Sequence, residues 1–458
     1  MITKLIIFIY NPTELKRNPD VTTTSRTEPL EQIDQQLYQL IYELYPICRS
    51  ITGNGFRETL KILNQHISLE IHEVPTGTPV FDWTVPKEWN IKDAYIKNSK
   101  GEKIVDFANS NLHVVNYSIP IHKKVTLQEL KSHLFTIPEY PDWIPYRTSY
   151  YKESWGFCLR HNQYLELKDE EYEVYIDSSL EPGHLTYGEY FIPGESTDEV
   201  LISCHSCHPS LCNDNLSGIA IATFLGKSLS KISLRYSYRF LFIPGTIGSI
   251  TWLSLNEEKV NNIKHGLVLT CLGDSGNFTY KRSRQGNTEI DEIAIYVLTT
   301  LAKDSKIIDF FPYGYDERQY CSPGFNLAVG CLMRSPHGSF PEYHTSADNL
   351  NFVHPQYLAD SFSKCKSILH ILDNNKIYIN KNLKCEPQLG KRGLYRSVGG
   401  QRDSGLNEMA ILWVLNLSDG HHTLLDIAKR SGMPFDEIQY AADVLLAHDL
   451  LATGCLDS

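Results

Sequence analysis

Hydrophobic positions near the start of the chain follow a helical period. A helix is predicted from about Pro29 to Leu44, because six apolar residues fall on one face at a spacing of 3.6: Leu30, Ile33, Leu37, Leu40, Ile41 and Leu44. Between residues 70 and 125 the pattern changes to short β-favouring runs separated by prolines. This change predicts a mainly β segment inserted after the first helices.

From about residue 170 short apolar runs alternate with longer helical patterns. Residues 172–176 and 185–192 are predicted to form a hairpin, and further strands are predicted at 200–205, 239–244, 266–271 and 326–333. Helices are predicted between and after them, at 217–229, 247–256, 289–303 and 355–373. This alternation predicts an α/β fold with a central, mostly parallel sheet and helices on both faces.

Near the C-terminus three short amphipathic helices are predicted, at 406–417, 423–431 and 434–448. The break at Ser431-Gly-Met-Pro434 is typical of the turn in a helix-turn-helix. We therefore expect five units, which are a disordered leader (1–28), a discontinuous α/β domain (29–69 and 126–384), a mainly β insert (70–125), a linker (385–405) and a three-helix unit (406–458).

The charge balance argues against nucleic acid as a partner. The 458 residues include 43 Lys and Arg against 54 Asp and Glu, a formal net charge of −11. From Asn407 to Ser458 there are two basic and eight acidic residues, a net charge of −6. An acidic surface repels phosphate backbones. We therefore expect the C-terminal unit to pack or to bind a partner protein, not DNA.

Cellular location is predicted from what the sequence lacks. The apolar run from Leu5 to Tyr10 is shorter than a secretory signal requires and has no cleavage site after it. No stretch approaches the roughly 20 apolar residues that span a bilayer. The eleven cysteines are odd in number, which a pure disulfide framework would not produce. These features predict a soluble cytoplasmic protein with reduced thiols and no membrane partner.

Residues suited to metal binding follow three of the predicted strands. His205, His208 and Asp214 lie within ten residues, Asp274 lies between Gly273 and Gly276, and His344 follows the strand at 326–333. Loops at the carboxyl ends of parallel strands share a crevice. Imidazole and carboxylate are ligands that zinc prefers in catalytic sites. A structural zinc site of four cysteines is excluded, because Cys204-x-x-Cys207 has no second pair.

Two of these segments resemble a known metal motif. Val200-Leu-Ile-Ser-Cys-His205 followed by Asn213-Asp-Asn-Leu-Ser-Gly218 is similar to the first metal motif of zinc aminopeptidases of the aminopeptidase S and bacterial leucyl aminopeptidase type. The resemblance implies that His205 is the first metal ligand and that Asp214 bridges two metals. It also places the family's last metal-binding histidine at His344.

The chain resembles one group more closely, a family of bacterial aminopeptidase-like proteins found beside polysaccharide-biosynthesis genes. That family has an inserted domain of unknown function and a C-terminal winged helix. The resemblance covers about residues 30–455 and is carried by four strings: Tyr45-Pro-Ile-Cys-Arg-Ser-Ile-Thr-Gly53, Phe81-Asp-Trp-Thr-Val-Pro-Lys-Glu-Trp89, Ser154-Trp-Gly-Phe-Cys158 and Asp316-Glu-Arg-Gln-Tyr-Cys-Ser-Pro-Gly324.

The chain departs from the zinc aminopeptidases at their acidic residues. Cys207 stands where they have an Asp, and no acid occurs from Tyr236 to Asn256, where they carry a Glu-Glu pair. Their next metal-binding Asp would fall at Thr270 or Cys271, and Asp274 is the nearest acid. A hydrolase needs a carboxylate to take a proton from the attacking water, so the general base must come from elsewhere.

Three solutions to the missing acids remain open. One metal is held by His205, Asp214 and His344, and another loop supplies the base, for which the candidates are Asp316, Glu317 and Glu342. Alternatively, His208 and Asp274 complete an unusual site, or the protein only binds a ligand. Three further residues are expected to contact the substrate, with a carboxylate held by the arginines: Arg318, Tyr320 and Arg282.

The favoured hypothesis is a zinc-dependent hydrolase, with one or two ions, acting on a small peptide or amide. One alternative is acyl transfer or cyclisation at a single zinc, as in glutaminyl cyclases, and another is a non-catalytic binding or regulatory protein. A homo-oligomer formed through the winged helix or the inserted domain is also expected.

Overall fold

The computed structural model describes residues 30–394 and 407–454. The predicted leader (1–28) and residues 395–405 of the predicted linker lie outside the described residues. The first predicted helix is confirmed at Leu30–Leu44, and a second helix follows at Asn54–Leu63. Among the described residues no helix is both long enough and apolar enough to cross a bilayer.

A large sheet of eight strands forms the centre of the described structure. Its middle four strands are parallel, which confirms the predicted arrangement, while both margins contain antiparallel pairs. The strand order across the sheet is Glu70–Pro75, His184–Ile192, Ser237–Ile243, Glu199–His205, Ile263–Leu269, Val329–Met333, Thr279–Lys281 and Lys306–Ile308.

Helices cover both faces of this sheet. Ser203 and Ile202 are neighbours on one strand, so their side chains point to opposite faces. Ser203 hydrogen-bonds to Tyr320 on the short helix Glu317–Tyr320. Phe240 pairs in register with Ile202 and lies beside Gly226 of a helix on the other face. The remaining helices of the α/β domain are Gly218–Leu229, Ile247–Leu255, Glu257–Val260, Glu289–Leu301 and Pro355–Asn374.

Because helices cover both faces, the central strands are buried along their whole length. Every residue of Glu199–His205 and Ser237–Ile243 is buried, as near-continuous apolar runs predict for parallel strands. Two charged residues of these strands pair with each other: the guanidinium of Arg239 bonds to the carboxylate of Glu199, and it also bonds to that of Glu189. Pairing of this kind is what makes a buried charge tolerable.

A second, four-stranded antiparallel sheet differs from the predicted insert at both ends. The strand Glu70–Pro75, predicted within the insert at 70–125, pairs with the large sheet instead. The predicted hairpin is wrong, because Glu171–Glu181 belongs to the second sheet and His184–Ile192 to the first. Residue spacing indicates a strand but not its partner. The second sheet contains Lys103–Asp106, Glu88–Lys97, Glu171–Glu181 and Ile121–Thr126.

The C-terminal unit combines three helices with a small antiparallel sheet. The helices are Glu408–Leu417, Leu424–Ser431 and Phe435–Ala447, which confirms the three predicted ones. The sheet joins Asp419–Thr423, Ile377–Asn380 and Leu451–Thr453. Ile377–Asn380 lies before residue 384, so the unit begins earlier than the predicted boundary. The sequence gives no boundary signal here, because Ile377–Asn380 is only four residues long and directly follows the long helix Pro355–Asn374.

Candidate metal centre

The candidate site lies where three parallel strands end. His205 is the last residue of Glu199–His205, Cys271 follows Ile263–Leu269, and His337 and His344 lie in the loop after Val329–Met333. These strands are neighbours in the sheet. Their carboxyl ends therefore meet at one edge, where ligands bind in open α/β folds.

Asp214 lies at the centre of this group. Its Oδ1 is 2.7 Å from His205 Nε2, and its Oδ2 is 3.0 Å from His344 Nε2 and 3.9 Å from His208 Nε2. Asp214 and His205 are fully buried. The structure thus brings together the three residues on which the sequence hypothesis rests, and it adds His208.

A hydrogen-bond network fixes the backbone around Asp214. Asp348 accepts hydrogen bonds from the backbone N–H groups of Asn213 and Asp214, at 2.6 and 2.9 Å. Asn215 donates to the carbonyl oxygens of Leu269 and His205, at 3.0 and 3.2 Å. The peptide bond between Asp214 and Asn215 is cis. The side chains of Asp348 and Asn215 thus hold the backbone around Asp214, while its carboxylate bonds to His205 and His344.

The charge states of the cluster suit a bound cation. Burial raises the pKa of Asp214, but His208 and His205 and the hydrogen bonds from His205 and His344 outweigh it and hold this pKa well below the usual value. Burial lowers the pKa of His208 well below its usual range and that of His337 to about 4. Asp214 therefore offers a carboxylate, and His208 and His337 offer neutral imidazoles, the forms that bind metals.

The donor spacing also fits zinc. The ligand atoms of His205, His208 and Asp214 all lie within 4.8 Å of one another. Tetrahedral zinc holds nitrogen and oxygen ligands at about 2.0–2.1 Å, which places them about 3.4 Å apart. Each separation would therefore have to change by no more than about 1.4 Å. Both the chemistry and the geometry of these residues fit a zinc ion.

Tyrosine rings enclose the cluster. Tyr315 stacks on His205 with ring centroids 3.7 Å apart, and its hydroxyl lies 3.1 Å from His208 Nε2. Tyr146 meets the rings of His208 and His344 edge-on, each at 5.2 Å. Such walls exclude water and strengthen electrostatic interactions inside the site.

Asp316, one of the predicted bases, reaches the segment that lacks acids. Its Oδ1 accepts hydrogen bonds from Thr246 N at 2.6 Å and Ser249 Oγ at 2.9 Å. Its Oδ2 is buried and has no hydrogen-bond partner in the described structure. Burial raises the pKa of Asp316 to about 6, against the lowering effect of nearby His205.

The other two predicted bases make different contacts. Glu317 is buried, pairs with Lys281 and accepts hydrogen bonds from Tyr315 N. The hydrogen bonds that Glu342 makes come from its backbone carbonyl, which accepts from Thr345. Sequence alone could not separate these acids, because spacing from a predicted strand or helix does not show which way a side chain points.

Asp274, a predicted metal ligand, lies outside the groups of residues whose ligand atoms converge among the described residues. It accepts hydrogen bonds from Gly276 N, from Ser335 and, at 2.8 Å, from Asn213 Nδ2. These hydrogen bonds connect Asp274 to the loops that contain Asn213 and Ser335. Asp274 lies five residues past Leu269, where the strand ends, so nearness to a strand in sequence did not place its side chain among the convergent ligand atoms.

The three residues predicted to contact the substrate lie in different surroundings. Tyr320 is fully buried and bonds to Ser203, so it belongs to the core. Arg282 directly follows the strand Thr279–Lys281, and its guanidinium lies 3.8 Å from Asp309 Oδ1 and donates to the carbonyl of Gly286. Arg318 is half-buried, and its Nη2 lies 3.5 Å from Thr246 Oγ1. Arg318 alone keeps the predicted role open.

Comparison with known proteins identifies the family. The chain matches a domain of unknown function (DUF4910) over residues 38–375 and a winged helix-turn-helix over residues 376–453. The chain belongs to the DUF4910 family. A relative from Clostridium acetobutylicum is 60% identical over 416 residues, 91% of this chain and 96% of its own length. It is described as a candidate polysaccharide biosynthesis protein with an aminopeptidase-like domain.

Solved structures agree with this placement. A Clostridium acetobutylicum protein described as a candidate peptidase has a TM-score of 0.88 at 57% identity, covering 93% of this chain and 97% of its own. A zinc aminopeptidase from Bacillus subtilis has a TM-score of 0.55 at 10% identity, covering 74% of this chain and 95% of its own. The DUF4910 part of the chain thus has an aminopeptidase-like fold, followed by a winged helix.

Sequence reasoning missed two members of the site in this DUF4910 chain. His337 shares a second group of ligand atoms with Asp214 and Cys271, within 4.8 Å of one another. Tyr315 was not predicted to touch a histidine. His337 lies four residues past the strand Val329–Met333, so applying the strand-end rule to every histidine would have found it. No comparable signal exists for Tyr315.

The backbone of the DUF4910 site is unusual at three positions. Thr246, Cys271 and His344 have positive φ angles of 65, 50 and 56 degrees. Residues with side chains rarely adopt this conformation, and a β-branched residue such as Thr246 is a clear exception. Strained backbone of this kind clusters at functional sites, which supports a functional role for these loops.

Proposed function

We propose that this protein is a zinc-dependent hydrolase of a small amide or peptide, with Asp316 as the general base. The observation that carries the proposal is the free oxygen of Asp316. It belongs to a buried carboxylate near His205 and has no partner in the described structure. An unpaired buried oxygen is costly, so it is expected to have a function.

Asp316 compensates in space for acids that are absent in sequence. Its carboxylate bonds to Thr246 and Ser249, both inside the acid-free stretch from Tyr236 to Asn256. Related zinc aminopeptidases are expected to carry their Glu-Glu pair in that stretch. A loop after residue 308 thus brings a carboxylate to a position that the strand end itself does not supply.

Four residues would hold the metal: His205, His208, Asp214 and His344. Zinc, when bound there, would supply a Lewis acid that polarises a carbonyl and makes water more acidic. The chain's own residues orient these donors through Asp348 and Asn215 and enclose them with Tyr315 and Tyr146.

Asp316 then moves the proton. Its Oδ2 takes a proton from the attacking water as the new carbon–oxygen bond forms, and it returns that proton to the amine as the carbon–nitrogen bond breaks. A base with a pKa of about 6 is ionised at neutral pH yet still a useful proton acceptor. The Thr246 and Ser249 hydrogen bonds hold the carboxylate in one orientation throughout.

Arg318 is proposed to bind a carboxylate of the substrate. Its guanidinium pairs with no acid among the described residues, and its Nε is buried without a partner. Glu317 is engaged by Lys281, and Asp316 by Thr246 and Ser249. The planar guanidinium suits two parallel bonds to a carboxylate. The name of the 60% identical relative makes polysaccharide biosynthesis the proposed context.

Turnover of aminoacyl amides and dipeptides, with and without a chelator, tests this function. We expect hydrolysis that the chelator abolishes and added zinc restores, with higher activity on substrates that carry a free carboxylate. Product analysis separates hydrolysis from cyclisation, because only hydrolysis consumes water. Tight binding of these compounds without turnover would instead favour a non-catalytic protein.

A further inference from the structure

We propose that Arg49 is a positioning residue of the metal centre, whose guanidinium holds the backbone of His208 against the end of the first helix. The proposal rests on the proposed function, in which His208 is one of the metal ligands. It goes beyond that function because it assigns a task to the string Tyr45-Pro-Ile-Cys-Arg-Ser-Ile-Thr-Gly53, which contributes none of the proposed ligands, base or substrate contacts.

Arg49 is a buried cation without an acidic partner. It is fully buried, and no carboxylate in the described part of the chain forms an ion pair with it. Its Nη2 is buried and has no hydrogen-bond partner there. Burial lowers the pKa of Arg49 to about 10, so the guanidinium still carries its charge at neutral pH. Burying an unpaired charge costs free energy, so the contacts that Arg49 does make are expected to serve a function.

The guanidinium joins two backbone carbonyl groups. Nε donates to the carbonyl oxygen of His208 at 2.9 Å, and Nη1 donates to that of Leu44 at 2.6 Å. Leu44 ends the helix Leu30–Leu44, and the last carbonyl groups of a helix carry a partial negative charge that favours a cation. Arg49 therefore links the loop after the strand Glu199–His205 to a fixed helix end.

The backbone of His208 depends on this contact. Among the described residues, the hydrogen bond from Arg49 is the only one that the backbone of His208 makes. Two residues further on, Ser210 Oγ donates to the carbonyl oxygen of Tyr45 at 2.7 Å, so the same string holds this loop at a second point. The loop in turn sets the distance between His208 Nε2 and Asp214 Oδ2, which is 3.9 Å.

Zinc affinity measures this role without relying on activity. The full-length protein is freed of metal and titrated with zinc in competition with a chromophoric chelator. Arg49→Met keeps the length of the side chain but removes its donors and its charge. Residues that orient a metal ligand contribute about 10–100-fold to metal affinity, so we expect zinc binding to weaken by this factor. Circular dichroism checks that the variant is folded.

Ser50→Ala is the matched control. Ser50 directly follows Arg49 and is also buried, but its hydroxyl bonds to Asn116 and not to the loop that contains His208. We expect this variant to bind zinc as tightly as the unmodified protein. An equal loss in Ser50→Ala and Arg49→Met would overturn the proposal, because any disturbance of the string would then weaken the site.

A second background shows whether Arg49 acts through His208. In His208→Ala, zinc can still bind to His205, Asp214 and His344. Adding Arg49→Met to His208→Ala is expected to change zinc affinity by less than about threefold, since two residues that act through one contact are not additive. A full loss in both backgrounds would mean that Arg49 does not act through His208, and it would overturn the proposal.

Arg49→Lys replaces Arg49→Met if the latter does not fold. Its ammonium keeps the charge but lacks the planar fork that spans two carbonyl groups, so we expect zinc binding to weaken by about 3–10-fold. Unchanged zinc affinity in Arg49→Met, or in Arg49→Lys where it replaces that variant, overturns this proposal and leaves the proposed function in place. Failure of the unmodified protein to bind zinc overturns both.

Discussion

At the scale of single residues the most informative group is Asp316. One of its oxygens accepts two hydrogen bonds, and the other has none in the described structure. Asp316→Asn keeps the shape but removes the base, so we expect hydrolysis to fall by about 10²–10⁴-fold while the metal content is unchanged. Steady-state kinetics and metal analysis of the same preparation measure both.

The control for this substitution is Glu342→Gln. Glu342 was also a predicted base, but its contacts in the structure run through its backbone. We expect this variant to retain nearly all activity. A large loss in Glu342→Gln together with a small one in Asp316→Asn would assign the base to Glu342 instead.

The same carboxyl group predicts a dependence of stability on pH. Its folded pKa of about 6 lies above the ordinary value of 3.8. Between these values the folded state keeps a proton that the unfolded chain has lost, so this group's destabilising effect grows as pH rises and is complete above about pH 6. The cost is about 3 kcal/mol.

Asp316→Asn removes this dependence. Urea unfolding of the metal-free proteins at about pH 4 and about pH 7 compares the two free energies of unfolding. The free energy of unfolding of the Asn variant is expected to increase relative to that of the unmodified protein as pH rises. A difference that does not vary with pH would contradict the assigned burial of Asp316.

Sequence reasoning performed unevenly at this scale. His205, Asp214 and His344 were found because strand ends and a family motif mark them, and the structure places them together. Asp274 and Tyr320 were misplaced, because proximity to a strand end does not tell which way a loop turns. The sequence could not distinguish Asp316 from the other two candidate bases. Its hydrogen bond with Thr246, inside the stretch that lacks acids, is a contact between residues 70 positions apart.

At the scale of elements, a close approach between two loops shapes the site. A Cβ on Gly245 would lie 2.0 Å from the ring of Tyr315, which stacks on His205. Gly245→Ala must therefore displace that ring. We expect a loss of about 1–3 kcal/mol in the free energy of unfolding and weaker zinc binding, measured by denaturation and competition with a chelator.

Gly324→Ala is the matched control for this change. A Cβ there has no heavy atom within 4 Å, and the residue precedes Phe325 in the loop after the short helix Glu317–Tyr320. It is expected to alter stability by less than about 0.5 kcal/mol. Equal effects of the two substitutions would show that the stack between Tyr315 and His205 does not depend on Gly245.

The predicted elements were mostly correct, and so was the parallel pairing of the central strands, whereas the partners of Glu70–Pro75 and Glu171–Glu181 were not. Glu70–Pro75 was predicted within the insert but pairs in the large sheet. Glu171–Glu181 was predicted outside the insert but pairs in the four-stranded sheet. Strand pairing depends on contacts between residues more than one hundred positions apart, as in Glu70 and Glu189. Local periodicity carries no information about such contacts.

At the scale of the whole molecule, the winged helix packs against the α/β domain. The part in contact is the start of the helix that corresponds to the DNA-recognition helix of helix-turn-helix proteins. In those proteins the N-terminal residues of the recognition helix contact the bases. Here the corresponding helix begins at Phe435, whose ring lies 6.2 Å from that of His370, and Asp436 Oδ1 lies 3.3 Å from His370 Nε2. Lys429 also pairs with Glu292.

This packing, together with a net charge of −6 in the unit, predicts no DNA binding. Fluorescence anisotropy of a labelled duplex with the full-length protein at about 50 mM salt is expected to stay flat into the micromolar range. A rise that weakens with added salt would contradict the prediction. A homo-oligomer formed through this unit or the inserted sheet stays a prediction.

The central claim is that the residues around Asp214 form a metal centre. An anomalous-difference map from crystals grown with zinc, recorded at the zinc edge, tests it most directly. The account predicts a peak about 2.0–2.2 Å from ligand atoms of His205 and Asp214. A featureless map at Asp214 in crystals of zinc-treated protein would contradict the account.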